Sequence, residues 1–153
     1  MTPVEEYLCV DVQGYTASEF IPKELTLITQ DNVVHHFLFD TPKGGFPYEH
    51  RRSVEWLEDH HHGIYYGTMG IAFNGDIFLH FPARVVYVKG QLKEKFMEKI
   101  YDRVINLEYL SDSPKIAKTV DYCTYHNKMG YSWVCSNNNA RMLKSYVDEN
   151  IVY

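Results

Sequence analysis

Three side chains able to bind a metal fall within thirteen residues: Cys123, His126 and Cys135, in the order C-x2-H-x8-C. Zinc takes four ligands tetrahedrally and accepts cysteine sulfur, histidine nitrogen and carboxylate oxygen. Three donors leave one position for a ligand from elsewhere in the chain or for water. Gly130 permits a bend inside this stretch, which such a closure needs. The plain alternative is two ordinary cysteines and a loop histidine. A nucleophilic Cys123–His126 pair is a further reading, but the same two residues serve better as ligands. Three cysteines are an odd number, which argues against a disulfide framework and fits metal binding with one thiol left over. That thiol, Cys9 in Tyr-Leu-Cys-Val, reads as a small buried hydrophobe.

Other histidines compete for attention. His60, His61 and His62 stand in a row, so no regular element can aim all three at one ion, and they read as solvated residues at a helix end. His35 and His36 point to opposite faces of a strand, one of them buried with a hydrogen bond. Nucleophile-elbow, Walker and HExxH patterns do not occur.

The elements that must position these residues are readable in outline. Residues 7–13, rich in β-branched and aromatic side chains around the single acid Asp11, predict a central first strand ended by Gly14. Residues 24–30 and 33–39 predict two more strands, joined by a two-residue Asp31-Asn32 turn into an antiparallel meander. Residues 40–50 form a loop, and Ser53 opens a short helix closed by the triple histidine. Residues 76–81 suit a short strand or a helix end, and 84–89 a buried strand. From Gln91 to Arg103, Leu92, Phe96, Met97, Ile100 and Tyr101 share one helical face, with Lys93 and its charged neighbours on a solvated one. A strand at 104–107, a short helix opened by Ser113-Pro114 and a last helix from about Asn138 to Asn150 follow, with Ala140, Leu143, Tyr146 and Val147 inward.

The 153 residues suit one domain, and no internal repeat or linker divides 1–153. Ordinary hydrophobic (45%) and charged (23%) fractions favour neither disorder nor a membrane protein. A net charge of -5 excludes a broadly basic nucleic-acid binder, while leaving room for a local basic groove. The thirteen tyrosines and eight phenylalanines fit half-buried strands first and base stacking second. Without a signal-type segment or a run of about twenty apolar residues, an intracellular location, cytoplasmic or nuclear, and no membrane association are expected.

The element order is that of the ribonuclease H-like α/β layout, a mixed five-stranded sheet flanked by helices. Over nearly its whole length the chain resembles nucleases of the DEDD exonuclease type, which hold two divalent metals in a cluster of acids. The positions that match those acids read Asp11-Val12-Gln13, Lys89-Gly90-Gln91-Leu92-Lys93 and, in the last helix, Asn139. Asp11 alone survives, so ordinary two-metal catalysis is not expected.

The closer resemblance is to the Maelstrom domain, an exonuclease-like fold that has lost those acids in many members. Its Glu-Cys-His-Cys zinc set has the C-x2-H-x8-C spacing of Cys123, His126 and Cys135. The matching Glu falls in Pro22-Lys23-Glu24-Leu25, ahead of Val34-His35-His36-Phe37, which makes Glu24 the fourth candidate and leaves Asp11 and Glu108 as rivals. A closed four-ligand site is structural by default. It would tie the second strand to the loop before the last helix, closing about a hundred residues of chain. The resemblance implies a catalytically inactive domain that binds single-stranded RNA or a protein of a small-RNA silencing pathway. A weak metal-independent ribonuclease and a protein-interaction module of viral or transposon origin are the alternatives.

Overall fold

The structure, a computed structural model, describes residues 3–16, 19–42, 46, 48–110, 119–120 and 132–151. Its centre is a mixed five-stranded sheet of order β3-β2-β1-β4-β5. The strands are β1 (Leu8–Thr16), β2 (Phe20–Thr29), β3 (Val34–Leu38), β4 (Val86–Val88) and β5 (Val104–Asn106). β1, β2 and β3 pair antiparallel, whereas β4 lies parallel to β1 and β5 parallel to β4. Among the described residues three α-helices accompany the sheet: α1 (Arg51–His60), α2 (Gln91–Glu98) and α3 (Ser136–Asn150). A separate antiparallel ribbon, β6 (Thr119–Val120) with β7 (Ser132–Trp133), brackets the stretch that contains Cys123 and His126. Among the described residues no helix is long and apolar enough to cross a membrane.

β1 is the middle strand because both of its faces are covered. Leu8, Val10 and Val12 join Leu25 and Leu27 of β2 in a core closed by Phe78, Met97 and Tyr101. Cys9, one position out of phase, packs against Leu143 and Val147 of α3. Burial on both faces explains why β1 reads as a nearly continuous run instead of a strict alternation. Cys9 is fully buried, as expected.

Several boundaries differ from those the sequence suggests. β1 continues past Gly14, where the register with β2 slips by one residue in a bulge opposite Pro22. A Cβ at Gly14 would collide with the Ile21 carbonyl oxygen, so glycine here serves strand contact and does not end the strand. The same bulge lets β2 start at Phe20, because Pro22 sits where the ladder is already irregular. The β2–β3 turn has three residues instead of two. Thr29 N–H bonds Val33 O at 3.0 Å, Asn32 N–H bonds Thr29 O at 2.9 Å, and Asn32 takes the left-handed conformation at φ 65°.

Ser53 lies inside α1, which starts at Arg51 after a 3-10 turn at Tyr48–His50. Residues 75–80 form a 3-10 helix whose first turn is capped by Asn74, its Oδ1 accepting from Asp76 N–H at 3.0 Å. α2 stops at Glu98, five residues short of the apolar periodicity, as Ile100 and Tyr101 N–H both turn back to Met97 O. Leu92, expected inward, is 51% exposed at its first turn. The helix expected at Ser113-Pro114 lies outside the described residues.

Candidate metal centre and its polar neighbour

β2 carries Glu24 into the space under the start of α3, where its carboxylate is completely buried. Oε1 accepts the Ser136 backbone N–H at 2.9 Å, at the first turn of α3, where a negative charge faces unsatisfied amides. Oε2 lies 3.6 Å from Cys135 Sγ and 2.7 Å from His36 Nε2. Carboxylate, thiol and imidazole therefore meet at one point between β2, β3 and the residue preceding α3. Zinc–sulfur and zinc–oxygen bonds of about 2.3 and 2.0 Å at a tetrahedral angle put the two ligand atoms about 3.5 Å apart. The Glu24–Cys135 separation fits that spacing. His36 is too close to the same oxygen to be a second ligand beside it. It instead donates Nε2–H to the carboxylate, the hydrogen bond that fixes a ligating group in place.

Two of the four expected ligands, Glu24 and Cys135, are thus brought together across the fold, while Cys123 and His126 lie outside the described residues. Among the described residues no group of three or more His, Cys, Asp or Glu side chains forms a metal site. The rivals for the fourth position are placed elsewhere. Glu108 is exposed in a 3-10 turn beyond β5, and Asp11 is engaged in a cluster of its own. His36 is the contributor the sequence reading passed over. His36 pairs with Thr26, two residues from Glu24 on the neighbouring strand, and such diagonal pairs are within reach of long side chains.

The second cluster adjoins the first, because Gln13 is the register partner of Glu24 and Asp11 that of Thr26. Thr26 Oγ1 in turn meets Ser136 Oγ at 2.8 Å. Asp11 is fully buried. Its Oδ2 accepts from Gln13 Nε2 at 2.7 Å and from Asn139 Nδ2 at 3.1 Å, and its Oδ1 pairs with the Lys93 ammonium. Burial pushes the Asp11 carboxyl above its ordinary value, against the opposing pull of Lys93 and the two amides. Lys93 comes from the exposed-looking side of α2, so its assignment to a solvated face is corrected: the long stem carries the charge inward to the sheet. The four residues are one carboxylate, one ammonium and two amides. The nearest buried acid on the same face is Glu24, the register partner of Gln13, which is engaged with Ser136 N–H, His36 and Cys135.

The triple histidine is divided by the end of α1. His60 is exposed, His61 is half-buried, and His62 is fully buried, contrary to a wholly solvated run. His62 Nδ1 accepts Ile64 N–H at 3.1 Å, so its Nε2 carries the proton and donates to Gly14 O at 3.1 Å. His62 thereby satisfies a carbonyl at the β1 bulge. His35 and His36 are both partly buried, His35 with its ring 4.7 Å from that of Phe81 and His36 on Glu24.

No protein-family model, curated protein or solved structure matches this chain.

Proposed function

We propose that the chain is a zinc-stabilised, catalytically degenerate exonuclease-like domain of ribonuclease H-like layout, resembling Maelstrom domains and acting in RNA binding or in interactions of a small-RNA silencing pathway. The observation that carries the reading is the Lys93–Asp11 pair. The single acid that matches a nuclease cluster is buried and bound to a lysine of this same chain. A two-metal reaction needs several anionic oxygens around two cations about 4 Å apart. Among the described residues the side chains bonded to Asp11 are Gln13, Asn139 and Lys93, none of them anionic, and the nearby Glu24 is taken up by Ser136 N–H, His36 and Cys135. The sheet order β3-β2-β1-β4-β5, with a meander followed by two parallel strands, agrees with the proposed layout.

The meeting of Glu24 and Cys135 supports a structural zinc site completed by Cys123 and His126, with His36 orienting the carboxylate. The zinc would join β2 to the chain before α3. Elemental analysis of untagged protein tests this, beside Cys123→Ser and Glu24→Gln. One zinc per chain, lost in both variants, is the expected result; a well-folded protein without zinc sinks the site. Incubation of single-stranded RNA with and without magnesium tests the degenerate reading. Cleavage that requires magnesium and is lost in Asp11→Asn would refute it, whereas cleavage indifferent to chelator would point to the metal-independent ribonuclease.

A further inference from the structure

The layer that covers the sheet on the side away from α3 has apolar surface that the core does not use. Phe78 enters the core beside Met97 and Tyr101, but the next residue, Leu79, turns outward from the same 3-10 helix and is 74% exposed. Val4 also stands open, at 56%. Glu5 fixes its position by bridging to Ala83, with Glu5 N–H on Pro82 O and Arg84 N–H on Glu5 O, both at 2.9 Å. Val4 and Leu79 border a cleft of about 590 Å³ that reaches the end of α2 and is floored by Phe78, Ile100 and Tyr101. The Tyr101 hydroxyl donates to Phe81 O at 2.7 Å, so its one donor is already engaged.

Charge is confined to the rim of this cleft and is of both signs. Asp76, Lys99 and Asp102 border it, all exposed, and none of them is in an ion pair among the described residues. An apolar centre inside a charged rim is the anatomy of a protein interface, and contiguous exposed apolar surface marks such a site. Lys99 also borders a second cleft, of about 490 Å³, lined by Phe20, Phe73 and Phe96. A stable interface takes about 800 Å² from each partner, and the second cleft extends the face toward that breadth.

The rim selects the occupant. A polyanion would pair with Lys99 but face two carboxylates, and a basic segment would satisfy the two acids but be set against Lys99. A small organic ligand needs polar groups converging inside the cleft, whereas these stand outside it. A second copy of this chain supplies both signs and the projecting leucine at once, as the self-complementary contact of a two-fold dimer requires. We infer that this face pairs two copies of the chain about a two-fold axis. Leu79 of each copy enters the other's cleft, and Lys99 of each meets the other's Asp76 or Asp102. The pairing covers the side of the sheet opposite α3 and leaves the Glu24 centre free. It is independent of the zinc and RNA readings.

The test is sedimentation equilibrium on the full untagged chain from about 1 to 100 μM, a span that covers weak dimers of standard interface size. Leu79 belongs to none of the core clusters, so Leu79→Asp should stay folded, which thermal melts verify. The parent is expected to dimerise, and Leu79→Asp to weaken the dimer at least about tenfold, the effect of removing a central interface anchor. Lys99→Glu makes the rim wholly acidic, and Asp76→Lys together with Asp102→Lys makes it wholly basic. Each of these two chains should self-associate more weakly than the parent, and an equimolar mixture should associate more tightly than either alone. A parent that stays monomeric throughout overturns the proposal. So does a dimer that Leu79→Asp leaves unchanged, which would place the contact on another face, and so does a mixture no tighter than its components.

Discussion

Glu24 and Asp11 are both buried carboxylates on adjacent strands, and their partners give them opposite behaviour. Glu24 faces a backbone amide, an imidazole and a thiol, a set that can exchange the thiol proton for a metal. Glu24→Gln keeps the shape and an acceptor for Ser136 N–H but removes the charge. The expected outcome is a lower melting temperature for protein as purified, with the difference from the parent shrinking once both are stripped by a chelator. Asp11, by contrast, is held by Lys93. Lys93→Met leaves a buried carboxylate without its cation and should cost about 3 kcal/mol in urea unfolding at neutral pH. Asp11 already has a raised pKa, and loss of Lys93 raises it further. A raised carboxyl contributes stability below its unfolded value and loses it as pH rises through the folded one. The deficit of Lys93→Met should therefore be smaller at pH 4 than at pH 7, and an equal deficit would show that Lys93 acts through packing alone. For Cys9, burial pushes the thiol up to about 12. Native protein at pH 8 should leave Cys9 unalkylated by iodoacetamide over hours, and rapid labelling would mean that the sheet opens locally.

Among the elements, the β1–β2 pair owes its shape to one glycine. Gly14→Ala would drive a methyl group into the Ile21 carbonyl, so β1 must shift at the bulge that His62 also braces through Gly14 O. A loss of roughly 2 kcal/mol in unfolding free energy is expected, the size usual for strain of this kind. β2 is also tied to the segment after α1. The buried Lys23 ammonium donates to Tyr66 O at 3.1 Å and to Thr68 O. Burial lowers its pKa to about 8, with Asp40 pulling the other way. Between about pH 8 and the ordinary lysine value near 10.4, the unfolded chain holds the proton that the folded one has released. Lys23 thus contributes more stability as pH rises through that window. The stability of the parent minus that of Lys23→Met should increase from pH 7.5 to pH 9.5 in chemical unfolding. Element types were legible wherever periodicity was long: the meander, α2 and α3 lie where expected. Boundaries failed where a tertiary contact overrode a local signal. Gly14 and Pro22 look like strand breakers alone but oppose each other in one bulge, and Ser53 looks like a cap although α1 begins two residues earlier.

At the scale of the molecule, the candidate centre was half legible. The sequence spacing singled out Cys135, and Glu24 came from the Maelstrom resemblance; the two meet across 111 positions of chain. His36, Lys93 and Asn139 were not assigned these roles, because their contacts depend on strand register and helix placement that spacing alone does not encode. On the proposed zinc reading, the same long-range connection would govern the response to metal removal. A metal joining Glu24 to the residues around Cys123 closes a loop of about a hundred residues, a restraint worth several kcal/mol by analogy with a disulfide of that span. Prolonged dialysis against a strong chelator should lower the melting temperature, and readdition of zinc should restore it where magnesium does not.

The distance between Glu24 and the first turn of α3 also has a temporal side. Glu24 leaves the ribosome 112 residues before Ser136, the residue whose amide receives its carboxylate. At about 5–20 residues per second, the meander waits on the order of ten seconds with that acid unsatisfied. The three strands can pair while nascent, but the buried polar face they present can close only once α3 has been made. Truncated chains released before α3 should therefore be the species that quality-control proteases remove.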